Sequence, residues 1–139
     1  MSKNINNLES QPFASKQPFA SNQRLLLPED YAYVFKKPIR SSDKLLTILA
    51  RHHTDQSNSR LGLAVAKKSV KTAVHRNRMK RLSREFFRLN QHKIACADYV
   101  ILVRRGIDKM DNAVITQSLA KQFNYLSKNL SKNLKKNIT

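Results

Sequence analysis

The fold turns on Ala73–Asn90, AVHRNRMKRLSREFFRLN, together with Leu61–Lys68, LGLAVAKK, just before it. In the longer stretch Met79, Leu82, Phe86 and Leu89 recur at spacings of three, four and three, which predicts an amphipathic helix with one apolar stripe. In the shorter one Leu61, Leu63 and Val65 alternate with Gly62, Ala64 and Ala66, the period of a strand. The small residues leave room for something to pack closely on their face.

Working outward, Asp98–Arg105 (DYVILVRR) reads as a strand whose apolar character on both faces suits an interior place in a sheet, and Gly106 ends it. Asp111 is placed to cap a last helix with Ile115, Leu119, Phe123 and Leu126 on one stripe. Leu126–Leu134 repeats Leu-Ser-Lys-Asn and either extends that helix or frays as a basic tail. Upstream, Lys44–Arg51 reads as a strand, joined to the Leu61 strand by a polar hairpin loop over His52–Ser59. A short helix precedes it: Pro28 suits a first helical position, Glu29 and Asp30 favour the positive end of the dipole, and Pro38 stops the helix by Lys37. Tyr31, Val34 and Phe35 share one face of it. The order is α-β-β-α-β-α, an α+β fold in which helices cover a small sheet. Residues 1–22 are expected to form an unstructured tail carrying a tandem Gln-Pro-Phe-Ala-Ser (Gln11–Ser15 and Gln17–Ser21), residues 23–127 the domain, and 128–139 a basic C-terminal tail.

The chain's 139 residues suit one domain, and at 40% hydrophobic residues it is too apolar to be disordered throughout. A single cysteine, Cys96, excludes a disulfide scaffold and fits a reducing, cytoplasmic setting. No apolar run approaches the roughly 18 residues that span a bilayer. With 27 Lys and Arg against 9 Asp and Glu, the net charge is +18. Such a chain repels itself, and a polyanion relieves the repulsion.

Half of that charge is concentrated. Ten basic residues and one acid, Glu85, give +9 over Arg60–Arg88. At about 100° per residue, Asn77, Lys80, Arg81, Arg84 and Arg88 fall within an arc of about 100°, opposite the apolar stripe. Charge runs are usually solvated faces. Here the single sign, the like charges at i, i+4 and i+8, and a pI near 10.6 favour a nucleic-acid contact. Guanidinium forks suit phosphate oxygens. A membrane fits less well, because the apolar stripe lacks Trp and is needed to cover the sheet.

The pattern Arg60-x-Gly62-x-x-Val65-x-Lys67-Lys68, followed by Ala73-x-x-Arg76-Asn77-Arg78-Met79-Lys80-Arg81-x-x-Arg84-Glu85, closely resembles the signature of the bacterial ribonuclease P protein subunit, over about Arg24–Leu126. The resemblance implies a small α/β sandwich like a domain of a ribosomal protein, with a left-handed βαβ crossover through the basic helix, where base rates favour a right-handed one. It implies a ribonucleoprotein endonuclease that removes the 5′ leader from precursor tRNA, with the catalytic RNA and Mg²⁺, held mainly by that RNA, carrying the chemistry. Its partners are then the catalytic RNA and precursor tRNA, not DNA or a membrane. By the same resemblance Arg76, Asn77, Arg78, Lys80, Arg81, Arg84 and Arg88 contact the catalytic RNA, and Tyr31, Phe35, Lys67 and Lys68 line a cleft for the unpaired leader. The first predicted strand has no aromatic residue, which shifts expected leader contacts toward Leu49 and the lysines. The residues themselves offer no catalytic carboxylate pair and no zinc-spaced Cys/His set, and the four histidines are expected at surface or packing positions. The alternative reading is a structural, ribosomal-type RNA-binding protein.

Overall fold

Three helices and four strands follow one another as α1 (Pro28–Lys36), β1 (Ile39–Ser42), β2 (Leu46–Arg51), β3 (Arg60–Ala64), α2 (Ala73–Asn90), β4 (Asp98–Val103) and α3 (Asn112–Ile138), with a single 3-10 turn at Ile107–Lys109. This computed structural model describes Arg24, Leu25, 27–52 and 59–138. The expected tail over 1–22 and most of the expected loop after His52 lie outside the described residues.

Asp98–Val103 takes the interior place its two apolar faces call for. The strand order is β1-β2-β4-β3, with β4 antiparallel to β2 and parallel to β3. The expected hairpin between β2 and β3 is therefore not formed: β4 lies between them. Sequence adjacency suggested the hairpin, but a both-faces-apolar strand gains more burial at the centre than at an edge. β4 ends at Val103, two residues sooner than expected, and Gly106 sits in the turn that follows at a φ of +96° that favours glycine. β3 begins at Arg60 and is shorter than the alternation suggested, since Val65–Lys68 leaves the sheet.

β1 was not foreseen. Its sequence, Ile39-Arg40-Ser41-Ser42, has little strand character, and Pro38 precedes it. It is an edge strand, where such residues are tolerated. Pairing with β2 is fixed by the turn: Asp43 Oδ1 accepts from the backbone N–H groups of Leu45 (2.8 Å) and Leu46 (2.9 Å), and Asp43 Oδ2 accepts from the Ser118 hydroxyl on α3.

The strands alternate between two layers. Leu46, Ile48, Leu61, Tyr99, Ile101 and Val103 face α2 and α3 and join the main core, where Tyr99 meets Phe123 at 5.0 Å and Phe87 at 6.4 Å between ring centroids. Leu49 and Val100 face the other way, beneath Val34 of α1 and Leu25. The α3 stripe is the expected one, lengthened by Leu130. The helix also runs on to Ile138, so the boundary expected at 127 falls inside it.

The α2 stripe is rotated from its expected position. Met79, Ser83 and Phe87 are buried, while Leu82 and Phe86 are half-buried beside α3. Hydrophobicity alone could not pick Ser83, a small residue where the helix meets the layer beneath it.

Candidate nucleic-acid interface

Thr72 sets the start of α2, its hydroxyl accepting from His75 N–H at 3.3 Å. From there the expected basic residues divide into two sets. Asn77 and Arg81 are exposed, and Lys80, Arg84 and Arg88 are half-exposed beside them. These five and Arg24 line a shallow hollow of about 360 Å³. Glu85 shares it and pairs with Arg88 one turn on. The expected ridge is therefore present as a continuous surface. Arg24 was not foreseen as part of it. It arrives through a parallel bridge to Leu61, with Leu25 N–H donating to Leu61 O at 3.0 Å, a long-range pairing that no local sequence signal encodes.

Arg76 and Arg78 flank the ridge and turn inward. Arg76 donates to the carbonyls of Val70 (2.9 Å) and Lys71 (2.8 Å), fastening the loop before α2. Arg78 donates to Asn112 Oδ1 at 2.7 Å and to the carbonyl of Met110, tying α2 to the start of α3. Arg60, counted with the charged stretch in the sequence, is also inward. It forms a two-pronged contact with the buried Asp98 carboxylate (2.9 and 2.7 Å) and lies 3.6 Å from Asp30 of α1. The hydrogen bonds to Asp98 raise the Arg60 pKa despite burial, so its charge is permanent.

On the opposite layer, α1 is clamped. Arg51 lies 3.8 Å from the centroid of the Tyr33 ring and donates to Tyr33 O at 2.8 Å, and the Tyr33 hydroxyl donates to His52 O at 2.7 Å. Tyr31 is half-buried against Gly62: a Cβ there would meet its ring at 2.7 Å. This is the close neighbour that the small residues of β3 implied. Phe35, one turn further on, is 46% exposed. Leu49 is a core residue, only 2% exposed, because its strand position places it under Val34. Its expected surface role is thus corrected.

Lys67 and Lys68 are exposed in the turn beyond β3. Tyr31 packs against Gly62 at mid-strand, and the two lysines follow beyond the strand's end. Lys68 instead shares a hollow of about 340 Å³ with Lys71, Arg105 and Lys109, cations drawn from two loops. Between the two places runs an in-register row, Thr47–Leu102–Ala64, half-exposed on the α1 side. Among the described residues no group of three or more His, Cys, Asp or Glu could hold a metal ion.

The sequence profile described as Ribonuclease P matches residues 19–127. The ribonuclease P protein component of Photorhabdus laumondii is 47% identical over 106 residues, covering 76% of this chain and 88% of the relative. That of Pasteurella multocida is 50% identical over the same shares. Among solved structures, the RNase P protein of Staphylococcus aureus superposes with a TM-score of 0.70 at 25% identity, over 74% of this chain and 94% of that one. The RNase P protein of Thermotoga maritima gives 0.64 at 29% identity, over 76% and 96%. A matching profile over most of the chain, and relatives this similar along nearly their whole length, mean that the chain belongs to the ribonuclease P protein component family.

Proposed function

We propose that this chain holds the catalytic RNA of ribonuclease P through the α2 ridge and the 5′ leader of precursor tRNA across the α1 side of the sheet. The ridge is the observation that carries the reading: five polar and cationic side chains on one helix face, gathered with Arg24 around one hollow. Each phosphate neutralised releases a counterion, and the guanidinium forks add directional hydrogen bonds. Asn77 supplies a donor and an acceptor to the same surface. Arg76 and Arg78 act as positioning residues that fix the two ends of the ridge.

For the leader, Phe35 offers an exposed aromatic face on which any base stacks, as a processing enzyme with many substrates requires. Tyr31, half-buried against Gly62, lies one turn before it on the same helix. Lys68, with Lys67 and the cations around it, neutralises phosphates further along the strand. In this reading Mg²⁺ is held mainly by the RNA.

Reconstitution tests the proposal. Cleavage of precursor tRNA by the catalytic RNA at low Mg²⁺ should rise when this chain is added. The chain should also tighten binding of precursor tRNA more than of mature tRNA. Equal tightening of both would instead identify a structural scaffold.

A further inference from the structure

A second single-signed face lies on α3, at the flank of the molecule formed by β1. Lys121, Tyr125, Lys128 and Lys132 are exposed and recur at i, i+4, i+7 and i+11, within an arc of about 60° at 100° per residue. Tyr125 is 52% exposed between them. Arg40 of the edge strand joins Lys121 and Tyr125 around a hollow of about 410 Å³. Asp43 also borders this hollow, but its carboxylate is already occupied by Ser118 and the turn N–H groups.

Three features separate this face from an ordinary solvated one. No Asp or Glu occurs anywhere in Asn112–Ile138, so no acid on α3 offsets the lysines, and the Lys128–Lys132 pair at i, i+4 is repulsive. An aromatic ring stands among the cations with its face available for stacking. The apolar stripe of the helix, from Ile115 to Leu130, is buried in the core and so is not presented to a bilayer. The arrangement therefore suits a structured polyanion.

The geometry points to a second RNA contact, in which Arg40, Lys121, Lys128 and Lys132 neutralise backbone phosphates of the catalytic RNA and Tyr125 stacks on an unpaired base. This rests on the reading that the chain binds that RNA. It adds a distinct surface, because α2 packs beneath β3 and α3 beneath β1 and β2, which sets the two cationic faces on different flanks. The catalytic RNA is the occupant rather than the leader, since the leader surface lies on the α1 side of the sheet. A protein with two such flanks bridges two segments of the RNA instead of coating one.

The test uses the full chain carrying Lys121→Gln, Lys128→Gln and Lys132→Gln together, beside Arg81→Gln with Arg84→Gln. Binding to the catalytic RNA is measured across a salt series, with hydroxyl-radical footprinting of the RNA. The triple variant should lower the magnitude of the log–log salt slope by about 2–3, the value for three lost phosphate contacts. It should also expose a stretch of RNA different from the one exposed by the α2 pair. Lys→Arg at the same three positions should restore both. Full slope and footprint in the triple variant, with losses in the α2 pair, overturn this inference and leave the ridge intact. Retention by both variants overturns the ridge as well. A loss seen only when precursor tRNA is titrated into the holoenzyme overturns the choice of the catalytic RNA.

Discussion

Phe35 and Tyr31 sit one turn apart on α1 yet answer to different constraints. Phe35 is 46% exposed and belongs to neither core cluster, so Phe35→Ala should change stability by about 1 kcal/mol at most. The same change should weaken leader binding by about 1–3 kcal/mol, the usual loss per stacked base. Urea denaturation beside a leader-binding titration checks both numbers. Tyr31 is tied to Gly62, and Gly62→Ala should cost about 1–3 kcal/mol, because the new methyl meets the ring at 2.7 Å and one of them must move. An unchanged denaturation midpoint would show that Tyr31 swings freely. The glycine's need for space was legible in the alternation of small residues along β3. Which side chain would fill that space was not, because the partner lies about thirty residues away on another element. The same limit hid the inward turns of Arg60, Arg76 and Arg78: a basic residue in a basic run looks alike whether it points to water or to a carbonyl.

At the scale of elements, the face of α2 was legible as cationic, while its buried side was legible only to within about a fifth of a turn. Flank and ridge should separate by measurement. Arg78→Ala should lower thermal stability by removing the tie between α2 and α3, costing about 0.5–1.5 kcal/mol, since water can reach the carbonyl and amide it leaves. Arg81→Ala should leave the melting midpoint in place and reduce the salt slope of RNA binding by about 0.7–0.9. The β1–β2 turn makes a prediction in pH. Burial pushes the Asp43 carboxyl up, but hydrogen bonds from Ser118, Leu46 and Leu45 outweigh it and hold the pKa below the ordinary value of 3.8. A depressed carboxylate contributes stability that is fully present above its unfolded pKa and is lost as pH falls through the folded one. Asp43→Asn should therefore be less stable than the native chain at pH 7, by about 0.5–1.5 kcal/mol at this exposed residue, and the gap should narrow as pH falls below about 4. Urea midpoints at pH 7 and pH 3 decide it; a gap of the same size at both means the turn does not depend on the charge.

Across the whole molecule, +18 over 139 residues is a store of self-repulsion. Raising the ionic strength from about 0.01 to 0.15 M shortens the screening length from about 30 to 8 Å. The free protein should therefore melt higher at the upper salt, the reverse of the salt dependence expected for RNA binding. A midpoint that falls with salt would mean that attractive pairs dominate. Fold class, the helix boundaries of α2 and the interior place of β4 were all readable from periodicity. The strand order was not, because β4 pairs with β2 and β3 across roughly 40–60 residues and such pairing leaves no local trace, and β1 was not, because Ile39–Ser42 carries little strand character of its own. That order has a consequence during synthesis. β3 has β4 as its neighbour in the sheet, and β2 has β4 on its inner side, so only the β1–β2 hairpin can close before residue 103 has left the ribosome. At about 5–20 residues per second, α2 emerges seconds ahead of the strand that anchors it. The nascent chain thus presents the cationic α2, still undocked, to a ribosome whose own surface is RNA.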